Sequence, residues 1–227
     1  MKKLFLIAAA LVASAFAAQA AVVQANCSRV AQYSDAKALG AVGCQVGDKV
    51  FANFGDVVGT TGIPDNWQLT LDIDPDTGDH VVNFASGSTG SILPIAQSPW
   101  GVQYDIKIDT TYPGSLYKYF AQVGISLDLS GLGPVGTLTK TITNLDPNHG
   151  TIGDLLARAT VPPVGVPVTF AYASQYIHVV EVITSTKGSL MSFTDVYSQA
   201  NIPEPATYGM MGLGLAALGL ISRRKKA

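Results

Sequence analysis

The chain has 227 residues, 48% hydrophobic and 13% charged, with two cysteines and a formal net charge of −2. That figure hides an uneven distribution: residues 21–202 carry eight basic against fifteen acidic side chains, a net charge of −7, and the remaining six lysines and arginines sit at the two ends. An acidic central region with no basic patch excludes nucleic acid as a partner and suits a solvated extracellular protein that tolerates divalent cations.

The first twenty residues have the order of a secretory signal peptide. Lys2 and Lys3 supply the charged start, Leu4 to Ala18 the apolar core, and Ala18-Gln19-Ala20 a small-residue cleavage site, so the mature chain is expected to begin at Ala21. An apolar run of about 15 residues is too short to span a bilayer, which takes about 20. Residues 21–202, 182 in all, are then one domain large enough to bury a core. In an exported chain the pair Cys27 and Cys44 is expected to form a disulfide; two buried free thiols are the alternative. The bond would close a 17-residue span, worth roughly 3 kcal/mol on the chain-entropy model.

Ser34 is placed to cap a short helix over Asp35 to Leu39, stopped by Gly40. Beyond it the apolar residues recur with period two, the signature of half-buried strands. Such runs cover Lys49–Phe54, Leu69–Ile73, Val102–Ile108, Tyr119–Leu129, Thr137–Thr143, Val166–Tyr172, Tyr176–Thr184 and Leu190–Val196. Turn residues separate them at Asp76–Asp79, Tyr112–Gly114, Gly131–Pro134, Pro162-Pro163 and Lys187-Gly188. Thr151–Asp154 has the spacing of a capping box, and Asp154 stands four residues before Arg158, which predicts a second short helix. Eight to ten strands with this punctuation predict a mainly β fold: one antiparallel, jelly-roll-like β-sandwich with one or two short helices.

Three groups of residues invite a chemical reading. Asp72, Asp74, Asp76 and Asp79 surround a glycine turn as in an oxygen-rich calcium loop. The EF-hand spacing is absent, however, because Gly78 comes one position late and no glutamate closes the loop. The favoured reading is a hairpin with Pro75 to Asp79 as its turn. His80, His149 and His178 stand at no metal-ligand spacing; His149 is expected in a turn and His178 on a strand face. Trp67, Trp100, Tyr104, Tyr112, Tyr117 and Tyr119 have the rings a sugar-stacking platform needs. The favoured reading makes Tyr104 and Tyr119 core or interface residues at period two, has Trp67 and Trp100 pack the sandwich ends, and leaves Tyr112 and Tyr117 exposed. No Gly-x-Ser-x-Gly elbow is present, and the expectation is a protein that is not an enzyme, without metal or cofactor.

The C-terminus carries the densest signal. Asn201-Ile202 lead into Pro203-Glu204-Pro205, whose prolines fix φ and remove backbone donors, making a stiff extended strip that a processing enzyme can engage. Ala206 to Ile221 follow, 16 apolar residues, about 24 Å as a helix and short of a hydrocarbon core of roughly 30 Å. Gly209, Gly212, Gly214 and Gly219 give it a thin face for packing on a partner helix. Arg223 to Lys226 would stay cytoplasmic.

Pro203, Glu204 and Pro205, the Gly/Leu-rich segment and the terminal Arg/Lys cluster together resemble the PEP-CTERM sorting signal of Gram-negative bacteria. The stretch Gly43 to Phe54, with a cysteine, Gly-Asp-Lys and an aromatic strand, resembles an N-terminal pattern in some such proteins. The resemblance implies processing by an exosortase, transient inner-membrane anchoring through 206–221, and release to the cell surface or an exopolysaccharide matrix of a biofilm-forming source. A plain single-span anchor is the alternative, but it gives Pro-Glu-Pro no reason to be there. The organisation expected is a signal peptide over 1–20, an extracellular domain over 21–202 and a sorting tail over 203–227. Its expected role is structural or adhesive within the envelope or matrix. A carbohydrate-binding module that takes extracellular polysaccharide is the runner-up, and a secreted hydrolase a distant third.

Overall fold

The computed structural model describes residues 25–87, 92–161, 167–201 and 215. The expected signal peptide and, apart from Leu215, the expected spanning segment lie outside these residues. No helix among the described residues is long and apolar enough to cross a membrane.

The described chain is mainly β. In order it forms β1 (Ala25–Asn26), α1 (Tyr33–Leu39), β2 (Cys44–Val46), β3 (Lys49–Asp56), β4 (Thr61–Gly62), β5 (Gln68–Ile73), β6 (His80–Ala85), β7 (Trp100–Ile108), β8 (Lys118–Asn144), β9 (Leu155–Val161), β10 (Val168–Ser174) and β11 (Tyr176–Asn201). Short 3-10 turns occupy Cys27–Arg29 and Ile95–Gln97. All the strands join one sheet that does not close, in the order β1-β2-β3-β7-β11-β6-β5, with β8 on the other edge of β11 and β9 and β10 beyond it.

Two expected turns do not end strands. β8 runs through Gly131–Pro134 and β11 through Lys187-Gly188, where Gly188 takes φ 99° and the ladder slips register. Glycine and proline here bend a continuous two-stranded ribbon, as bulges do. The bend is large. Tyr104 of β7 pairs with Val179 of β11, yet its hydroxyl lies 2.8 Å from that of Tyr197, eighteen residues further along β11. A straight strand would separate those positions by roughly 60 Å. The ribbon therefore folds back on itself, and the half carrying β3 and β7 faces the half carrying β6. Phe84, Phe193, Phe54, Tyr104 and Tyr33 fill the space between them.

The expected helix over 151–158 is replaced by a turn and β9. Gly153 adopts φ 91°, which cannot propagate a helix, and Asn144 Nδ2 holds the turn by donating to the carbonyls of Asp146 and Thr151. Leu155 to Val161 then pair with the outer edge of β8, satisfying backbone groups that a helix would leave open. The first helix forms, starting two residues earlier than expected. The Asp35 carboxylate, rather than Ser34, accepts the N–H groups of Ala31 and Gln32, and Gly40 at φ 53° ends it. Cys27 and Cys44 are joined in a buried disulfide that ties the first 3-10 turn to β2.

Candidate functional site

β11 delivers the chain to the C-terminal tail. Its final residues stay in the sheet: Gln199 pairs with Phe120, Ala200 with Tyr119 and Asn201 with Lys118. Gln199 Nε2 also donates to Asp48 Oδ2 at 3.3 Å.

Asp48 is a buried node under this strand end. Lys49 Nζ lies 2.6 Å from its Oδ1, Lys118 Nζ 3.2 Å from its Oδ2, and His80 Nε2 3.4 Å from its Oδ1. Burial works to raise the Asp48 carboxyl, but the donors around it prevail and hold it below its ordinary value. Burial pulls the Lys49 ammonium down to about 8, against the pull of Asp48. Burial, reinforced by the Lys49 charge, pulls His80 down to about 4 from 6.5. His80 is thus neutral in the fold, and the unfolded chain binds its proton more readily between those two values. Stability is expected to fall as pH drops from about 6.5 to 4, by about 3 kcal/mol from this residue. Urea midpoints measured across that window should show a flatter profile for His80→Gln; an unchanged slope would remove His80 as the cause.

A second polar cluster lies between the two halves of the sheet. Lys140, Glu181, Asp195, Tyr104 and Tyr197 are all fully buried. Lys140 Nζ contacts Asp195 Oδ1, lies 2.8 Å from Glu181 Oε1, and donates to the Tyr197 hydroxyl at 3.0 Å. Tyr104 Oη donates to Asp195 Oδ2 at 2.5 Å. Burial and the adjacent Asp195 raise the Glu181 carboxyl well above the carboxylate range, more than Lys140 can offset. Against the penalty of burial, the two acids hold Lys140 protonated.

Elsewhere polar groups serve local structure. Asp74 Oδ1 accepts the N–H groups of Asp76 and Thr77, and Asp74 and Asp79 close the β5–β6 hairpin that the spacing predicts. Among the described residues no three His, Cys, Asp or Glu side chains gather as a metal site. His149 Nδ1 sits 2.7 Å from Asp146 Oδ2 in a turn, and His178 Nδ1 2.7 Å from Asp105 Oδ1 on a strand face. Trp67, Trp100 and Tyr104 are fully buried and Tyr119 is half-buried, while Tyr112 and Tyr117 are exposed. Tyr112 borders an open pocket of about 440 Å³ with Asn26, Gln45, Asp109 and Thr111.

The family model of the PEP-CTERM protein-sorting motif matches residues 201–226, starting at the last paired residue of β11. The chain carries a PEP-CTERM sorting motif. No curated protein matches the chain. The PEP-CTERM motif implies export, membrane-anchored sorting and an exosortase as processing partner. Its core residues Pro203, Glu204 and Pro205 lie outside the described residues.

The PEP-CTERM motif was legible in the sequence, and the disulfide was too; the Lys140 cluster was not. A signal for it existed. Lys140 occupies the inward phase between Leu138 and Ile142, Glu181 the phase between Val179 and Ile183, and Asp195 the phase between Phe193 and Tyr197. A charge at a core position of a period-two strand marks a buried partner, because an unpaired buried charge is prohibitively unstable.

Proposed function

We propose that this is an exported surface or matrix protein whose acidic β domain, residues 21–202, has a structural or adhesive role after exosortase processing. The two facing halves of the sheet support reading that domain as a β-sandwich. The observation that carries the proposal is the junction at Asn201. The sorting motif begins at Asn201, the last paired residue of β11 among the described residues, so in sequence it follows the folded domain directly. Residues 1–20 would direct export, and 206–221 would hold the domain at the inner membrane until cleavage near Pro203-Glu204-Pro205.

Coexpression with an exosortase and intact-mass analysis of the extracellular fraction tests this. The expected product lacks the tail, and the double variant Pro203→Ala/Pro205→Ala stays membrane-bound at full length. A secreted wild-type chain that still ends at Ala227 would overturn the reading.

The Tyr112 pocket favours a second reading, binding of extracellular polysaccharide. An exposed ring beside Asn26, Gln45, Asp109 and Thr111 offers the stacking face and hydrogen-bonding groups that a sugar requires. Glycan-array binding that disappears in Tyr112→Ala would move the assignment from a structural role to a lectin-like one.

A further inference from the structure

We propose that Lys140 and Asp195 become joined by an intramolecular amide bond in the folded core, with Glu181 carrying protons during its formation. The placement is specific. Lys140 on β8 and Glu181 on β11 are directly opposed partners in the ladder, both facing inward. Asp195 reaches them from the far end of the same strand, across the fold of the ribbon. The amine and the carboxyl it would attack are thus in contact only once the two halves have closed on each other.

The cluster holds one cation and two carboxyl groups with no water-accessible surface. Fully ionised, it would bury a net negative charge. Neither Glu181 oxygen nor Asp195 Oδ1 receives a well-directed hydrogen bond from the described residues. A proton on Glu181 cancels the charge and supplies a donor toward Asp195. Burial and Asp195 both favour that proton. What remains is an ammonium, a carboxylate and a carboxylic acid, which are the ingredients for amide formation assisted by an acid.

The step balances without any co-reactant. A proton passes from the Lys140 ammonium to the Asp195 oxygen it contacts, converting the ion pair to amine and acid as the first, uphill part of the step, since the two acids hold Lys140 protonated at rest. The Nζ lone pair then adds to Asp195 Cγ, and the carbonyl π pair moves onto Oδ2. Tyr104 donates its hydrogen bond to Oδ2, so it is placed to stabilise the charge that develops there. Glu181 gives its proton to Oδ1 and accepts one from nitrogen; the C–Oδ1 bond breaks and water leaves. Ammonium and carboxylate become amide and water, and Glu181 is restored. Amide formation between dissolved partners is hindered by ionisation and dilution. Proton transfer within the contact ion pair answers the first obstacle, and fixed contact answers the second, with effective molarities of about 10⁵–10⁸ M.

Intact mass spectrometry of the purified full chain, after reduction of the disulfide, tests the proposal. The wild type is expected to be lighter than its processed sequence by one water, and a tryptic digest should contain a branched peptide uniting the Lys140 and Asp195 segments. Lys140→Arg should show the full sequence mass. Asp195→Asn, in which the leaving group becomes ammonia, should be lighter by one ammonia. A wild-type protein that is folded by circular dichroism yet has its full sequence mass overturns the bond. A Glu181→Gln chain that loses water as completely as the wild type overturns the role given to Glu181.

Discussion

Replacing Phe84 by alanine is expected to lower the unfolding free energy by about 3–5 kcal/mol. Phe84 is fully buried in β6, and its ring meets partners from α1 and from both halves of the sheet. Phe193 stacks on it at 4.6 Å, Tyr33 of α1 approaches edge-on at 5.7 Å, and Tyr104 and Phe54 of the opposite half lie at 6.2 and 6.5 Å. Four neighbours anchored on separate elements cannot all move into the space a ring leaves, so most of the cavity would persist. Lost aromatic pairs add about 0.5–1.5 kcal/mol each to the area term. Val58 is a control, 97% exposed; its replacement by alanine should stay within about 0.5 kcal/mol. Urea denaturation of both variants reads the difference. If Phe84→Ala lost no more than Val58→Ala, the two halves could not be packing through this ring.

The sequence was informative where its signals are local. Period two in Leu69–Ile73 and Val102–Ile108 reports which face is buried, and the strands β5 and β7 follow it. The tail, being one contiguous motif, needs no tertiary context to be recognised. Signals that depend on distant partners misled. Gly131–Pro134 and Lys187-Gly188 have the composition of turns, but both fall at one irregularity of the ladder, where the Val135–Lys187 and Ser130–Ser189 pairs flank it, and both strands continue through. Thr151–Arg158 has helix-capping chemistry, but the free edge of β8 captures Leu155–Val161 as a strand. Lys140, Glu181 and Asp195 belong to residue types that are solvent-facing by default. The inward phase of each is local, but their meeting follows from the folding of the ribbon, which no window of sequence contains.

Lys140→Met is expected to destabilise the domain by about 3–5 kcal/mol, the usual consequence of withdrawing one member of a buried ionic group. The remaining carboxyls would then have to stay protonated or stay buried without a cation. More can be learned from replacing the group as a whole. For a simple ionic triad, Lys140→Met/Glu181→Leu/Asp195→Leu should recover most of that loss, because apolar packing removes the desolvation penalty together with the attraction. For a covalent cross-link the recovery is incomplete. A bond from residue 140 to residue 195 closes a loop of 55 residues, and its restriction of the unfolded chain is worth about 4 kcal/mol. The triple variant would therefore remain below the wild type by about that amount even with a well-packed core. Denaturation midpoints of the wild type, Lys140→Met and the triple variant separate the two cases, and the m-value offers an independent check. Cross-linking keeps the unfolded wild type more compact, so its m-value should be smaller than that of either variant. Equal m-values with full recovery in the triple variant would assign the cluster to electrostatics alone.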